Sequence, residues 1–288
     1  MYVSIRTDLA LEGRELLGGD VSGIESEQSV CGDAKITRIN VIDEQGSRAL
    51  GKPIGRYITV EVPPLTVNSG MDEQLVNALS DEISPFLPEG EILVVGLGNT
   101  HITPDALGPR AAARVLATRH ITGEVAQTVG LGNLRPVSVI APGVLGQTGI
   151  ETGEIVFGVA DRVKPSAVII IDALASRRLN RLGCTVQISD SGISPGSGIG
   201  NKRRQISREQ LGVPVISMGV PTVVDAVTLA EDLTGSECGG DLSPSGQRMI
   251  VTPQEVDMLI ERASHLIAHS LNCALHPQVD GDVLLGLV

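Results

Sequence analysis

Aromatic side chains are nearly missing from this 288-residue chain, which has no tryptophan, two tyrosines and two phenylalanines. Its core must therefore be aliphatic, and stacking platforms for sugars or unpaired bases are scarce. Positive charge is also short: 22 Lys and Arg against 34 Asp and Glu give a net charge of −12. Such a field repels phosphate backbones, so no direct nucleic-acid partner is expected. Cysteine is limited to positions 31, 184, 238 and 273, with no C-x-x-C pair. Neither a zinc knuckle nor a disulfide framework is indicated, and a reducing cytoplasm fits best. No apolar run reaches the roughly 18 residues of a membrane helix, and Arg6 and Asp8 stand where an export signal needs apolar residues. No membrane partner is expected.

What is present is an aliphatic globular composition, 42% hydrophobic and 19% charged, enough apolar surface to offset ordering entropy. From about residue 92 onward, β-branched runs alternate with helical stretches. The strands expected are Ile92 to Gly98, Val137 to Ile140, Ala167 to Ile171, Thr185 to Ile188 and Val213 to Met218. Helices are expected near Gly153 to Val163, Ala173 to Leu182, Thr222 to Leu233 and Val256 to Leu271. Another should start at Thr103, as N-cap, with Pro104 in the first position. The helix Val256 to Leu271 is amphipathic, with Met258, Leu259, Ala263, Leu266 and Ile267 at helical spacing. This alternation predicts an α/β fold, a mostly parallel or mixed sheet with helices on both faces. Residues 1–66 read as an N-terminal segment with a small β-rich subdomain, in which Ile36 to Ile42 and Tyr57 to Val62 flank a turn at Glu44 to Ser47. Residues 67–288 read as the α/β catalytic domain.

Ligands of open parallel sheets bind outside the carboxyl ends of the strands. The polar residues expected there are acidic: Asp105, one turn after the first strand of the α/β unit, and Asp172, directly after Val168-Ile169-Ile170-Ile171. Two carboxyl groups at one edge cannot both ionise comfortably, so one can activate water while the other, protonated, polarises a carbonyl. The structural alternative is a first-turn acid favoured by the helix dipole and an ordinary strand-end acid. Gly96-Leu97-Gly98-Asn99-Thr100-His101 lacks the third glycine of a dinucleotide fingerprint, so no nucleotide cofactor is expected. Asn99 and His101 are polar neighbours for a site at Asp105. The loop Ser194 to Arg204 carries Gly196, Ser197, Gly198 and Lys202 as candidate substrate-binding residues, and it does not match a P-loop. His265 and His269 stand at i, i+4 without the Glu of H-E-x-x-H, so no metal is expected. No G-x-S-x-G elbow or catalytic-cysteine signature occurs.

Several blocks resemble one family. They are Arg6-Thr7-Asp8-Leu9-Ala10, Gly96-Leu97-Gly98-Asn99, Thr103-Pro104-Asp105-Ala106-Leu107-Gly108-Pro109, Thr118-Arg119-His120 and Ala141-Pro142-Gly143-Val144. They continue with Gly146 to Thr152, Ile171-Asp172-Ala173-Leu174-Ala175, Gln187 to Gly192, Pro195 to Arg203 and Gly219 to Ala226. Together they resemble the germination proteases of spore-forming bacteria over most of the chain. The resemblance implies an endopeptidase that starts the degradation of small acid-soluble spore proteins at germination, in the cytoplasm of the forespore or spore core. It also implies an atypical aspartic peptidase, with no cofactor, that is made as a self-processing zymogen and assembles as a homotetramer. Its two essential aspartates carry over to Asp105 and Asp172. The stretch before Arg6 is Met1 to Ile5, which would make a short propeptide. The fold implied is similar to that of hydrogenase-maturation endopeptidases. A metal-linked maturation protease therefore stays open as one alternative reading, and a non-catalytic binding protein as another.

Overall fold

The computed structural model describes residues 7–67, 72–121, 134–194, 205–234 and 249–287. Among these, nine strands form one mixed sheet in the order β1-β2-β3-β7-β8-β6-β4-β5, with the short β9 (Ile250–Val251) paired antiparallel to β8. Its centre is parallel: β4 (Ile92–Gly96) lies between β5 (Val137–Ile140) and β6 (Ala167–Ser176), and β6 pairs with β8 (Val215–Asp225). β7 (Thr185–Ser189) returns antiparallel to β8 and receives β3 (Gly55–Glu61) on its other side. β1 (Ile24–Cys31) and β2 (Ala34–Val41) complete an antiparallel meander, so the N-terminal strands extend the central sheet itself.

The run Val168-Ile169-Ile170-Ile171 is apolar throughout because both of its faces are covered. Ile169 and Ile171 face the helices Glu73–Ile83, Leu107–Ala112 and Val256–Leu275. Val168 and Ile170 face the helix Thr152–Val163. All four are fully buried, each contributing about 2 kcal/mol of transfer free energy as an upper estimate. A third cluster packs the helices Ala10–Leu17 and Glu44–Leu50 against Ile39, Val41 and Tyr57. The α/β class with helices on both faces is thus the architecture observed.

Local expectations fail at five places. Residues expected to be helical after 172 continue β6 to Ser176, followed by a 3₁₀ turn at Leu179–Arg181. β8 likewise runs to Asp225, and its helix begins only at Ala226. Glu44 to Ser47 is the start of a helix whose N-cap, Asp43, accepts from the N–H groups of Gln45 and Gly46. Thr103 opens a 3₁₀ turn, Thr103–Asp105, and is not its cap; the residue before that turn is Ile102, whose side chain has no acceptor to offer and whose carbonyl accepts from Asp105 N–H at 2.8 Å. In the long helix Val256–Leu275, Leu259, Ala263, Leu266 and Ile267 are buried as expected, whereas Met258 is exposed.

Candidate active site

β4 stops at Gly96, level with Ile171, but β6 continues for five residues more. Asp172 is therefore not a strand-end residue. It lies inside β6, at the first position beyond the ladder with β4, and is paired on the other side with Gly219 of β8. The N–H of Leu97 donates to Ile171 O at 2.8 Å, closing the β4 side of the sheet immediately before Asp172.

The chain then reverses through Gly98, whose φ of +124° suits glycine and few other residues. A Cβ there would lie 1.9 Å from the carbonyl oxygen of Asp105. Next in the chain, the N–H of Asn99 donates to Asp105 Oδ2 at 2.8 Å and to Asp105 O at 3.2 Å. The turn bearing Asp105 leads into the helix Leu107–Ala112, where a Cβ on Gly108 would lie 2.2 Å from Leu97 O and 2.4 Å from Ile171 O. Two glycines thus let the Asp105 turn rest directly on the main chain that precedes Asp172. Asp105 is half-buried, and Asp172 is 8% exposed with Oδ1 accepting from its neighbour Ala173 N–H at 2.9 Å.

Of the other candidates, Asn99 joins this cluster directly. Its side-chain Oδ1 accepts from His101 N–H at 3.0 Å and from Gln147 Nε2 at 2.8 Å. His101 takes part through its main chain and is exposed. Gly196, Ser197, Gly198 and Lys202 lie outside the described residues.

Two contributors escaped the residue-by-residue reading. Gln147 ties the loop after β5 to the loop after β4, and its own Oε1 accepts from Val144 N–H at 3.3 Å. Thr222 is fully buried in β8, and its hydroxyl donates to Pro104 O at 2.7 Å, fastening the Asp105 turn from below. The β6–β8 register shifts here, Leu174 pairing with Pro221 and Ala175 with Val223, so Thr222 is the extra residue of a bulge, a device that re-aims side chains near sites. The signal available in the sequence was Pro221, which cannot donate to a ladder and is confined within sheets to edges and irregularities.

Chemically, the arrangement offers two carboxyl groups on fixed main chain, one buried and one half-buried, at the carboxyl edge of a parallel sheet. Among the described residues, no group of three or more His, Cys, Asp and Glu side chains is assembled to hold a metal ion. No helix among them is long and apolar enough to cross a membrane.

These features define an α/β protein with an acidic site at a sheet edge. The family model described as germination protease matches residues 8–235 and 239–285. A germination protease of Caldanaerobacter subterraneus subsp. tengcongensis is 45% identical, with 96% of each chain covered. The germination protease of Clostridium perfringens is 41% identical with 97% of each chain covered, and that of a Geobacillus species 37% identical, covering 98% of this chain and 96% of the relative. Among solved structures, a [NiFe] hydrogenase maturation protease, HycI, from Thermococcus kodakarensis is similar at 19% identity and a TM-score of 0.38, covering 67% of this chain and 98% of that one. The chain belongs to the germination protease family and is a protease of spore germination.

Proposed function

We propose that the protein hydrolyses peptide bonds of small acid-soluble spore proteins with Asp105 and Asp172 as a catalytic pair sharing one proton. The ionised carboxylate takes a proton from water as the water oxygen adds to the scissile carbonyl. The protonated partner donates a hydrogen bond to the carbonyl oxygen as negative charge develops there. Proton return to the amide nitrogen then breaks the C–N bond and restores the shared-proton state. The observation that carries this reading is the seating of the Asp105 turn on Ile171, the residue before Asp172, through Leu97 N–H and the space left by Gly108. Fixed carboxyl groups need no reorganisation when charge develops, which is where most of the stabilisation of such a transition state arises. The substrate class, the self-processing zymogen, the homotetramer and the spore-core location belong to the same proposal, as does an N-terminal unit of residues 1–66 ahead of the catalytic one.

The test is incubation of a small acid-soluble spore protein with the full chain, with and without chelator, read by mass spectrometry of the products and of the enzyme's own N-terminus. Discrete fragments in both conditions are expected from wild type once it is mature. Activity lost with chelator and restored by added metal would replace the carboxylate pair with a metal-linked hydrolase. Saturable binding without cleavage by the mature chain would make it a binding protein.

A further inference from the structure

Two N–H donors converge on the side-chain oxygen of Asn99. Its Oδ1 accepts from His101 N–H at 3.0 Å and from Gln147 Nε2 at 2.8 Å. Turning the amide through half a turn would set Nδ2 against both donors, so its orientation is fixed. Gln147 is fixed in the same way: its Oε1 accepts from Val144 N–H at 3.3 Å, which turns Nε2 towards Asn99. The chain of orientation runs from Val144 N–H through Gln147 to Asn99. It ends on the Asn99 Nδ2 group, which donates to none of the described residues.

That group belongs to the residue whose main-chain N–H already donates to Asp105 Oδ2 at 2.8 Å. Asn99 is half-buried, in the loop after β4 at the carboxyl edge of the sheet. The site is acidic, and the charge that grows on a scissile carbonyl oxygen is negative, so an ionised carboxylate beside it is repulsive. A neutral donor whose direction is set beforehand stabilises that oxygen without adding a charge or titrating.

We propose that Asn99 is a further catalytic residue: its Nδ2 group donates a hydrogen bond to the scissile carbonyl oxygen as water adds, alongside the bond from the protonated carboxyl group. Gln147 is its positioning residue, holding Oδ1 so that Nδ2 faces the substrate. No proton leaves Asn99 in this role. The inference rests on the reading of Asp105 and Asp172 as the catalytic pair. Removing one donor of this kind costs about a hundredfold to a thousandfold in kcat, because the bond matters most once charge has developed.

The test compares wild type, Asn99→Ala, Gln147→Glu, Gln147→Met and Asp105→Asn, all as the full chain, with folding checked by circular dichroism. The readouts are kcat and KM on a protein substrate as a function of pH; where a variant retains its N-terminal segment, the rate of that self-cleavage is read in place of kcat. Asn99→Ala keeps the main-chain N–H to Asp105 and removes the side-chain amide. Its kcat should fall about a hundredfold, with KM within about threefold and the limbs of the pH profile unmoved, since a neutral amide does not titrate. Gln147→Glu puts a charged acceptor where Nε2 was a donor, which draws Asn99 Nδ2 to itself and away from substrate. It should therefore be slower than Gln147→Met, which releases the amide without capturing it. A folded Asn99→Ala protein within about threefold of the wild-type kcat, a loss confined to KM, or a displaced pH limb would overturn the proposal. If Asn99→Ala does not fold, the exposed Gln147 carries the test, and Gln147→Glu as fast as Gln147→Met overturns the proposal. Wild-type cleavage by Asp105→Asn would instead remove the carboxylate pair, while the Asn99 and Gln147 rates would still report whether the amide serves the carbonyl oxygen.

Discussion

Gly98 is where backbone geometry and chemistry meet most directly. Replacing it with alanine places a Cβ 1.9 Å from Asp105 O and leaves a side chain at a φ of +124°. The loop must then move away from Asp105. Gly98→Ala should lower stability by about 3 kcal/mol and abolish cleavage, checked by urea midpoint and substrate assay. His276 makes a different residue-scale prediction. It follows the helix Val256–Leu275, is fully buried, and its ring nitrogens have no hydrogen-bond partner among the described residues. Burial, with a smaller contribution from Arg135, pushes its pKa down from 6.5 to about 4. The unfolded chain therefore binds a proton that the folded chain refuses, and stability falls as pH drops from about 6.5 towards 4. His276→Leu should flatten that dependence, so that its urea midpoint changes less between pH 7 and pH 5 than that of wild type.

At the scale of elements, the parallel centre of the sheet was legible because Ile92 to Val95 and Val168 to Ile171 are apolar on both faces, a pattern that buried parallel strands require. The ends of β6 and β8 were not. Asp172 read as a stop signal because a carboxyl group inside a strand is costly to bury, and the strand that pairs with it there, through Gly219 of β8, is distant in sequence. The helix was expected near Thr222, whereas β8 continues to Asp225 and the sheet absorbs Pro221 with a bulge at Thr222. The helix Glu44–Leu50 was hidden by Gly46 and Ser47, which suggest a turn, although Asp43 was a standard N-cap signal. Asp43→Ala removes the acceptor of Gln45 and Gly46 N–H and should cost about 1 kcal/mol, measured by thermal or urea unfolding. Of the site, Asp105, Asp172 and Asn99 could be named from position along the chain. Gln147 and Thr222 act through loop and sheet contacts that spacing alone does not reveal.

For the whole molecule, the sheet brings together groups far apart in sequence: the turn after β4, the middle of β6 and the bulge of β8. The account stands or falls on whether the two aspartates act as one unit. Groups that share a proton and a transition state lose activity non-additively, the second replacement costing little once the first is made. The decisive measurement is kcat/KM for wild type, Asp105→Asn, Asp172→Asn and the double variant on one spore-protein substrate, with folding of each confirmed by circular dichroism. The account predicts near-complete loss in each folded single variant and a double variant within about threefold of either. A single variant at close to the wild-type rate, or losses that multiply in the double variant, would contradict it.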